Sequence, residues 1–247
     1  MSSISVQQTF QETDSICGPA VIQMLLNFYN IKITQKEAVE AAGISEVVER
    51  DGTRLDQMSL VVKNLAPGYA FWYKEDATIQ DISALIDTYH VPVGINWQGY
   101  FWDSLLEEAR FGAPLSNGHY SIVTNIQREK NQLAIVDPDY KRSAKELAFP
   151  IGWFKTRWWD TAQGVDDRTG KEITYYTSRL LFIVVPEKET FPQLLDLHAV
   201  PEQYFQSKIE EARHSHSVHP AFEPSKRKTQ VLEFSTSVIR NATSKFR

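Results

Sequence analysis

An almost unbroken apolar run begins at Cys17, directly after a polar stretch, and it constrains the fold more than any other segment. From Gly18 to Tyr29 nearly every face of a helix would be apolar, so the helix must be central and packed on both sides. Pro19 suits a first helical turn, where its missing N–H costs nothing, and Gly18 leaves space beside the sulfur. The sequence therefore predicts a buried helix whose N-terminus carries a thiol.

Cys17 is the single cysteine of the chain. Unpaired backbone N–H groups and the positive end of the helix dipole stabilise a thiolate there, and the thiolate is the nucleophilic form of cysteine. The alternative is a cysteine that only fills space, because free cysteines are often buried. Gln11 lies six positions upstream, where a short loop can bring its amide N–H beside the sulfur as an oxyanion donor. One cysteine also excludes an intrachain disulfide, which is typical of a reducing compartment.

A histidine and an aspartate lie at the ends of two predicted strands much later in the chain. His119 opens a run rich in β-branched and aromatic residues, and Asp137 closes the next such run. A hairpin turn at 129–131 would place the start of the first strand beside the end of the second. An imidazole next to a carboxylate is oriented as a general base requires. The alternative is a hairpin whose terminal His and Asp lie at the solvent edge.

Taken together, these motifs resemble the papain-like cysteine peptidases. The chain has a Gln, then Cys-Gly-Pro-Ala six residues on, then Gly-His-Tyr opening a strand and Asp-Pro closing the next. It is most similar to the bacteriocin-processing, double-glycine leader peptidase group and its stand-alone relatives, roughly over residues 5–186. The resemblance implies the following roles: nucleophile Cys17, general base His119, orienting residue Asp137 and oxyanion donor Gln11.

Two departures from that family are visible. Its members usually have an acidic residue directly before the cysteine, whereas this chain has Ile16, with Asp14 two places earlier. Exporters of the group also carry membrane spans and an ATP-binding domain, but this chain has no apolar run of about 18 residues and no phosphate-binding loop. The first residues lack the basic start and apolar core of a secretory signal, so we expect a cytoplasmic protein.

The order of the predicted elements indicates an α+β domain. Helices are predicted at 34–43, 53–65, 78–89 and 152–160, and strands at 69–73, 91–97, 118–127, 133–138, 145–149 and 179–186, with a polar loop at 163–170. We expect a papain-like fold, in which a helical half carrying Cys17 packs on a largely antiparallel sheet carrying His119 and Asp137. The active site would then lie in the cleft between the two halves.

The segment directly before the predicted base is rich in aromatic residues. We predict that it shapes the cleft, with Trp97, Tyr100 and Trp102 as walls of a peptide groove. These rings could equally be ordinary core, because aromatic side chains bury large areas. Gly118 would let a substrate backbone approach the base closely, or would serve a turn.

Residues 1–186 form the predicted peptidase domain, and residues 187–247 form a C-terminal extension that is helical, at 201–212, and partly irregular. From Pro224 onward the extension holds six Lys or Arg against the single acid Glu233. We interpret this end as a solvated terminus, with docking on an acidic partner, a membrane surface or the enzyme body as the alternatives. The net charge of the chain is −5, which gives no reason to expect nucleic acid binding.

No metal or organic cofactor is expected. The histidines at 214, 216 and 219 have no cysteine or carboxylate at ligand spacing, and the carboxylates at 166 and 167 are interpreted as part of a turn. The predicted reaction is hydrolysis of a peptide bond, in a leader or precursor peptide, through an acyl-enzyme. A transpeptidase, an amidase or a peptide-transferring enzyme like phytochelatin synthase would use the same thioester with another acceptor. A third hypothesis is a peptide-binding module without turnover. The sequence carries no signal for the oligomeric state.

Overall fold

Five helices lie in the N-terminal part of the computed structural model, which describes residues 4–99, 118–139, 146–165 and 168–214. They are α1 (Cys17–Phe28), α2 (Gln35–Ala41), α3 (Val48–Asp51), α4 (Leu55–Leu65) and α5 (Ile79–Asp87). Thr34 and Thr78 cap α2 and α5, and each accepts a hydrogen bond from the backbone N–H three residues on. Both belong to capping boxes, which explains why these two helices begin where they do.

The central helix α1 is buried as the sequence predicts. Eight of its twelve residues are buried, and it packs against α2, α4 and the strand that begins at His119. Gly18 is required at this point, because a Cβ there would lie 2.9 Å from the Cβ of Thr53. The apolar run thus places the start of α1, and Cys17 with it, against the segment that leads into α4.

A seven-stranded sheet forms the other half of the described structure. Its strands are β1 (Tyr69–Lys74), β2 (Val93–Trp97), β3 (His119–Gln127), β4 (Gln132–Val136), β5 (Leu147–Pro150), β8 (Leu181–Pro186) and β9 (His198–Ala199). The order is β5-β4-β3-β2-β8-β1-β9, and every pairing is antiparallel. The predicted α+β fold, with the helix of Cys17 packed on a largely antiparallel sheet, is confirmed, and so is the edge strand predicted at 145–149.

Helices cover both faces of this sheet. On β8, Phe182 and Val184 pack into a core with α1, α2 and α4, whereas Ile183 and Val185 pack into a second core with α5 and α6 (Ile151–Arg157). Trp153 belongs to the second core. Because both faces are covered, residues along the central strands are buried without the alternation that a one-sided sheet shows.

A second sheet of two strands corrects the prediction for the region after α6. The sequence predicted a helix at 152–160 and a polar loop at 163–170, but α6 ends at Arg157 and β6 (Trp159–Val165) follows at once. β6 pairs antiparallel with β7 (Glu172–Ser178) over its whole length. Within the polar loop, positions 166 and 167 lie outside the described residues.

The first part of the C-terminal extension packs on the rest of the chain. β9 pairs with β1, and α7 (Tyr204–His214) lies against β7. The Tyr204 hydroxyl donates to Glu75 Oε1 at 2.7 Å, and Lys208 Nζ donates to Glu75 Oε2 at 2.7 Å. The basic end from residue 224 lies outside the described residues. None of the described helices has both the length and the apolar character that crossing a membrane requires.

Candidate active site

Antiparallel pairing of β3 with β4 brings His119 and Asp137 together. Ile122 pairs with Val136, so the residue that follows β4 lies beside the start of β3. His119 Nε2 lies 2.9 Å from Asp137 Oδ1, and both side chains are buried. The two groups therefore meet inside the protein, at the end of the sheet, and the alternative of a solvent-edge hairpin is wrong.

Several hydrogen bonds hold the Asp137 carboxylate in place. Ser121 Oγ donates to its Oδ2 at 3.0 Å, and the backbone N–H of Asp139 donates to its Oδ1 at 2.8 Å. Burial raises the pKa of Asp137, but the His119 imidazole and these hydrogen bonds together outweigh burial and lower it below its usual value. Asp137 is therefore ionised at neutral pH and presents a fixed negative charge to the imidazole.

Cys17 lies at the N-terminus of α1, partly exposed, and its side chain is close enough to His119 to raise the pKa of the imidazole. Burial of the imidazole lowers the pKa of His119, but the charge and hydrogen bond of Asp137, with a smaller contribution from Cys17, raise it well above its usual value. Ile16 precedes the thiol at the N-cap and is buried, and its apolar side chain has no acceptor with which to cap the helix. The structure thus brings the thiol, the imidazole and the carboxylate into one neighbourhood.

Gln11 lies on the loop that leads into α1. Its backbone N–H donates to the carbonyl of Pro138 at 2.8 Å, which ties this loop to the segment after Asp137. The side chain is buried, and its Nε2 donates to the carbonyl of Thr13 at 2.9 Å. An amide nitrogen carries two hydrogens, so a second N–H of Gln11 remains for another acceptor.

Of the residues predicted to line a substrate groove, Trp97 is among the described residues. Trp97 is fully buried, packs against Phe149, Trp153 and Phe154, and donates from Nε1 to Ser121 Oγ at 2.9 Å. The prediction that Trp97 walls a groove is therefore wrong, because the ring lies in the second core and supports the serine that holds the carboxylate. The predictions for positions 100 and 102 (Tyr100 and Trp102) lie outside the described residues.

Gly118 is exposed, but the position of its missing side chain is already taken. A Cβ at this residue would lie 2.1 Å from Oδ2 of Asp160, which comes from β6. The glycine is thus needed for the approach of a carboxyl group, and a substrate backbone would have to approach it from another side.

Sequence reasoning missed Asp160 as a residue of this site. Its carboxyl accepts hydrogen bonds from Asn96 Nδ2 at 3.0 Å, from Gln98 Nε2 at 3.2 Å and from the backbone N–H of Thr161 at 2.7 Å. Burial raises the pKa of Asp160 to about 7, and the hydrogen bonds and the charge of His119 oppose that rise only in part. The available signal was an acidic residue directly after two tryptophans, Trp158 and Trp159, in a segment predicted to pack on the sheet.

Within the described parts of the chain, no group of three or more His, Cys, Asp or Glu side chains is arranged to hold a metal ion.

Comparison with known proteins gives one family match. Residues 3–165 match the model of the Peptidase_C39 like family, and no curated protein matches the chain. Similar solved structures include the peptidase domain of Streptococcus ComA, a bifunctional ABC transporter involved in quorum sensing. The two are 18% identical in sequence with a TM-score of 0.48, and the match covers 74% of this chain and 100% of the ComA domain. A double glycine motif protease from an AMS/PCAT transporter, solved with a leader peptide, has 17% identity and a TM-score of 0.46, and the match covers 75% of this chain and 94% of the protease. A protein from Bacillus anthracis described as a C39-like peptidase has 14% identity, a TM-score of 0.47 and coverage of 73% and 94%.

Proposed function

The chain belongs to the Peptidase_C39 like family, and from that premise we propose that it is a cysteine peptidase in which Cys17, His119 and Asp137 act together. One observation carries the proposal: the imidazole that lies 2.9 Å from a buried carboxylate is also close enough to a thiol at a helix N-terminus for that thiol to raise its pKa. A nucleophile, a base within hydrogen-bond reach and a third group that orients the base are the parts that covalent catalysis by cysteine requires.

In this mechanism His119 takes the proton of Cys17. Its Nε2 is bound to Asp137, so in this mechanism the other ring nitrogen, Nδ1, accepts the proton of the thiol. The buried carboxylate keeps the ring in one orientation and stabilises the imidazolium that forms. The raised pKa of His119 favours a thiolate–imidazolium pair before substrate arrives.

The thiolate then attacks the carbonyl carbon of the scissile bond, and a C–S bond forms. The tetrahedral oxyanion accepts hydrogen bonds from the Gln11 side-chain amide and from the backbone N–H of Cys17. Collapse of this intermediate breaks the C–N bond, and the leaving amine takes the proton from the imidazolium. His119 next accepts a proton from water, whose oxygen attacks the thioester and releases the acid and the free thiol.

The proposed substrate is a peptide or protein cleaved after small residues such as a Gly-Gly pair. This follows from the resemblance to the double-glycine leader peptidases, and family membership supports the class of reaction. Processing of a leader or precursor peptide is a prediction about the biological substrate, and a peptide library with Gly-Gly at varied positions is the direct way to test it.

Alkylation of Cys17 tests the ion pair without any substrate. A thiol with the ordinary pKa of about 8.5 is roughly 0.3% ionised at pH 6, so an isolated cysteine reacts slowly there. We expect iodoacetamide to modify the native protein at pH 6 at least about tenfold faster than the His119→Ala variant. His198→Ala is the matched control, because that histidine is exposed on β9 at the far edge of the sheet.

Equal alkylation rates in the native protein and in His119→Ala would contradict the proposal. Hydrolysis itself is measured with quenched fluorescent peptides, and Cys17→Ser should abolish it while His198→Ala should not. Mass analysis of the products in excess free amine separates hydrolysis from acyl transfer, because transfer would give an amide product in place of the acid.

A further inference from the structure

A second carboxyl group lies beside the histidine end of β3 and takes no part in the mechanism above. Asp160 projects from β6 into the position that a side chain at Gly118 would occupy, directly before His119 in the chain. Its two oxygens accept three hydrogen bonds, all from neutral donors on Asn96, Gln98 and the backbone of Thr161. The group is thus held rigidly against the base-bearing segment by partners that do not neutralise its charge.

Among the described residues, the ionisable groups that couple electrostatically to this carboxyl include His119 and Tyr120 on β3 and Tyr175 on β7. Burial raises the pKa of both tyrosines, so these phenols are neutral in the working range of a peptidase. Of these three groups, His119 is the one that carries a positive charge when protonated, and that charge lowers the pKa of Asp160.

We propose that Asp160 is a positioning residue of the active site, whose ionised carboxyl acts through His119 by stabilising the imidazolium of the thiolate–imidazolium pair. This inference rests on the proposed function. Asp137 supplies the direct contact to the ring, and Asp160 supplies a second negative charge from the neighbouring hairpin. The pair would then persist to higher pH than Asp137 alone allows.

The pH dependence of this effect has a definite direction. Burial raises the pKa of Asp160 to about 7, so the carboxyl is neutral near pH 5 and ionised near pH 9. Its charge therefore acts only on the alkaline limb of activity, where His119 loses its proton. A structural role for the same side chain would scale the activity by one factor at every pH.

Asp160→Asn tests this distinction, because asparagine keeps the shape of the side chain and removes the charge. We expect kcat/KM of the variant to equal that of the native protein within about twofold at pH 5. The alkaline limb should move to lower pH by about half a unit, which corresponds to about threefold lower activity near pH 9. Asp76→Asn is the matched control, since Asp76 is exposed and pairs with Arg179.

An unchanged alkaline limb, or a loss of equal size at every pH, would overturn the inference. Two further measurements keep the test independent of turnover and of the folding of the variant. The rate of Cys17 alkylation over the same pH range reports the ion pair even if no peptide is hydrolysed. Absence of hydrolysis would therefore count against the proposed function, whereas an unchanged alkylation profile in Asp160→Asn would count against the role of Asp160. In the native protein, the ring resonances of His119 in an NMR titration should show a small second inflection near pH 7, and its absence would count against Asp160.

Discussion

Replacing Asp160 with asparagine should change the stability of the protein in a pH-dependent way. In the unfolded chain this carboxyl ionises near its ordinary pKa of 3.8, whereas in the folded protein burial raises its pKa to about 7. Between these values the folded state binds a proton that the unfolded state has released. The free energy of unfolding of the native protein therefore falls as pH rises through this window, because the unfolded state binds fewer protons.

The size of the effect follows from the shift. About 3 pKa units at 1.36 kcal/mol each give up to about 4 kcal/mol, lost by the native protein between roughly pH 4 and pH 7. Asparagine does not titrate and escapes this loss. Its NH2 group must face one of the donors that Asp160 now accepts from, on Asn96, Gln98 or the backbone of Thr161, which costs about 1–3 kcal/mol at every pH. The variant should therefore be the less stable protein near pH 4 and gain on the native protein as pH rises.

Urea unfolding at pH 4.5, 6 and 8 measures this difference, followed by tryptophan fluorescence. Comparing the two proteins at each pH cancels the titration of the groups that do not interact with Asp160. Asp76→Asn serves as control and should show no such trend, because its carboxyl is exposed and paired. A free-energy difference between the Asp160 variant and the native protein that stays constant within about 0.5 kcal/mol from pH 4.5 to 8 would refute the reasoning.

Three further predictions follow from other contacts. Gly118→Ala should lower the free energy of unfolding by about 1–3 kcal/mol, because the added Cβ would lie 2.1 Å from Asp160 Oδ2. Thermal unfolding should show a smaller loss when Asp160 is also changed to Ala, and equal losses in the two backgrounds would contradict the clash. Asp137→Asn should lower kcat of the proposed reaction by about a hundredfold or more and move the NMR titration of His119 to lower pH. Steady-state rates like those of the native protein would argue against the proposed role of Asp137. Lys208→Met should lower the free energy of urea unfolding by about 1–3 kcal/mol, because it leaves the half-buried Glu75 without its cation. The double variant with Glu75→Gln should lose less than Lys208→Met alone, and additive losses would show that the pair is not coupled.

The pair formed by His119 and Asp137 could be predicted from the sequence because a short hairpin fixes it. Strand-forming residues on both sides of a turn predict antiparallel pairing, and antiparallel pairing alone determines which ends meet. The turn is a short 3-10 helix at Arg128–Lys130 closed by Asn131 in a left-handed conformation, close to the turn predicted at 129–131. Local signals therefore settled this part of the site.

Trp97 shows where such signals stop. All five residues of β2 are buried, because helices cover both faces of the sheet. The alternation that would say which face a side chain takes is absent from the burial of this strand. The sequence around a tryptophan therefore looks the same whether the ring lines a cleft or, as here, packs in the core and donates to Ser121.

The failure to identify Asp160 has the same origin as the failure to identify the hairpin of β6 and β7. β6 contains no regular alternation, and it is held by its partner β7 and by α7, where Ile209 and Phe205 fill the space above Gly164. These contacts join residues far apart in sequence, so no local pattern reports them. The strand signal lay in β7, where Tyr175 and Thr177 are buried alternately with more exposed neighbours.

The C-terminal extension supports the hairpin that carries Asp160. α7 lies beyond the residues that match the family, yet it packs on the hairpin that carries Asp160. A carboxyl stabilises a distant imidazolium only if it is held in one position. A mobile carboxyl would let water enter between the two groups, and water screens the attraction between their charges. The position of this carboxyl depends on Gly118 on one side and on the packing of α7 against β6 and β7 on the other. The extension is therefore part of the structure that holds the carboxyl through which we propose the charge at His119 is set.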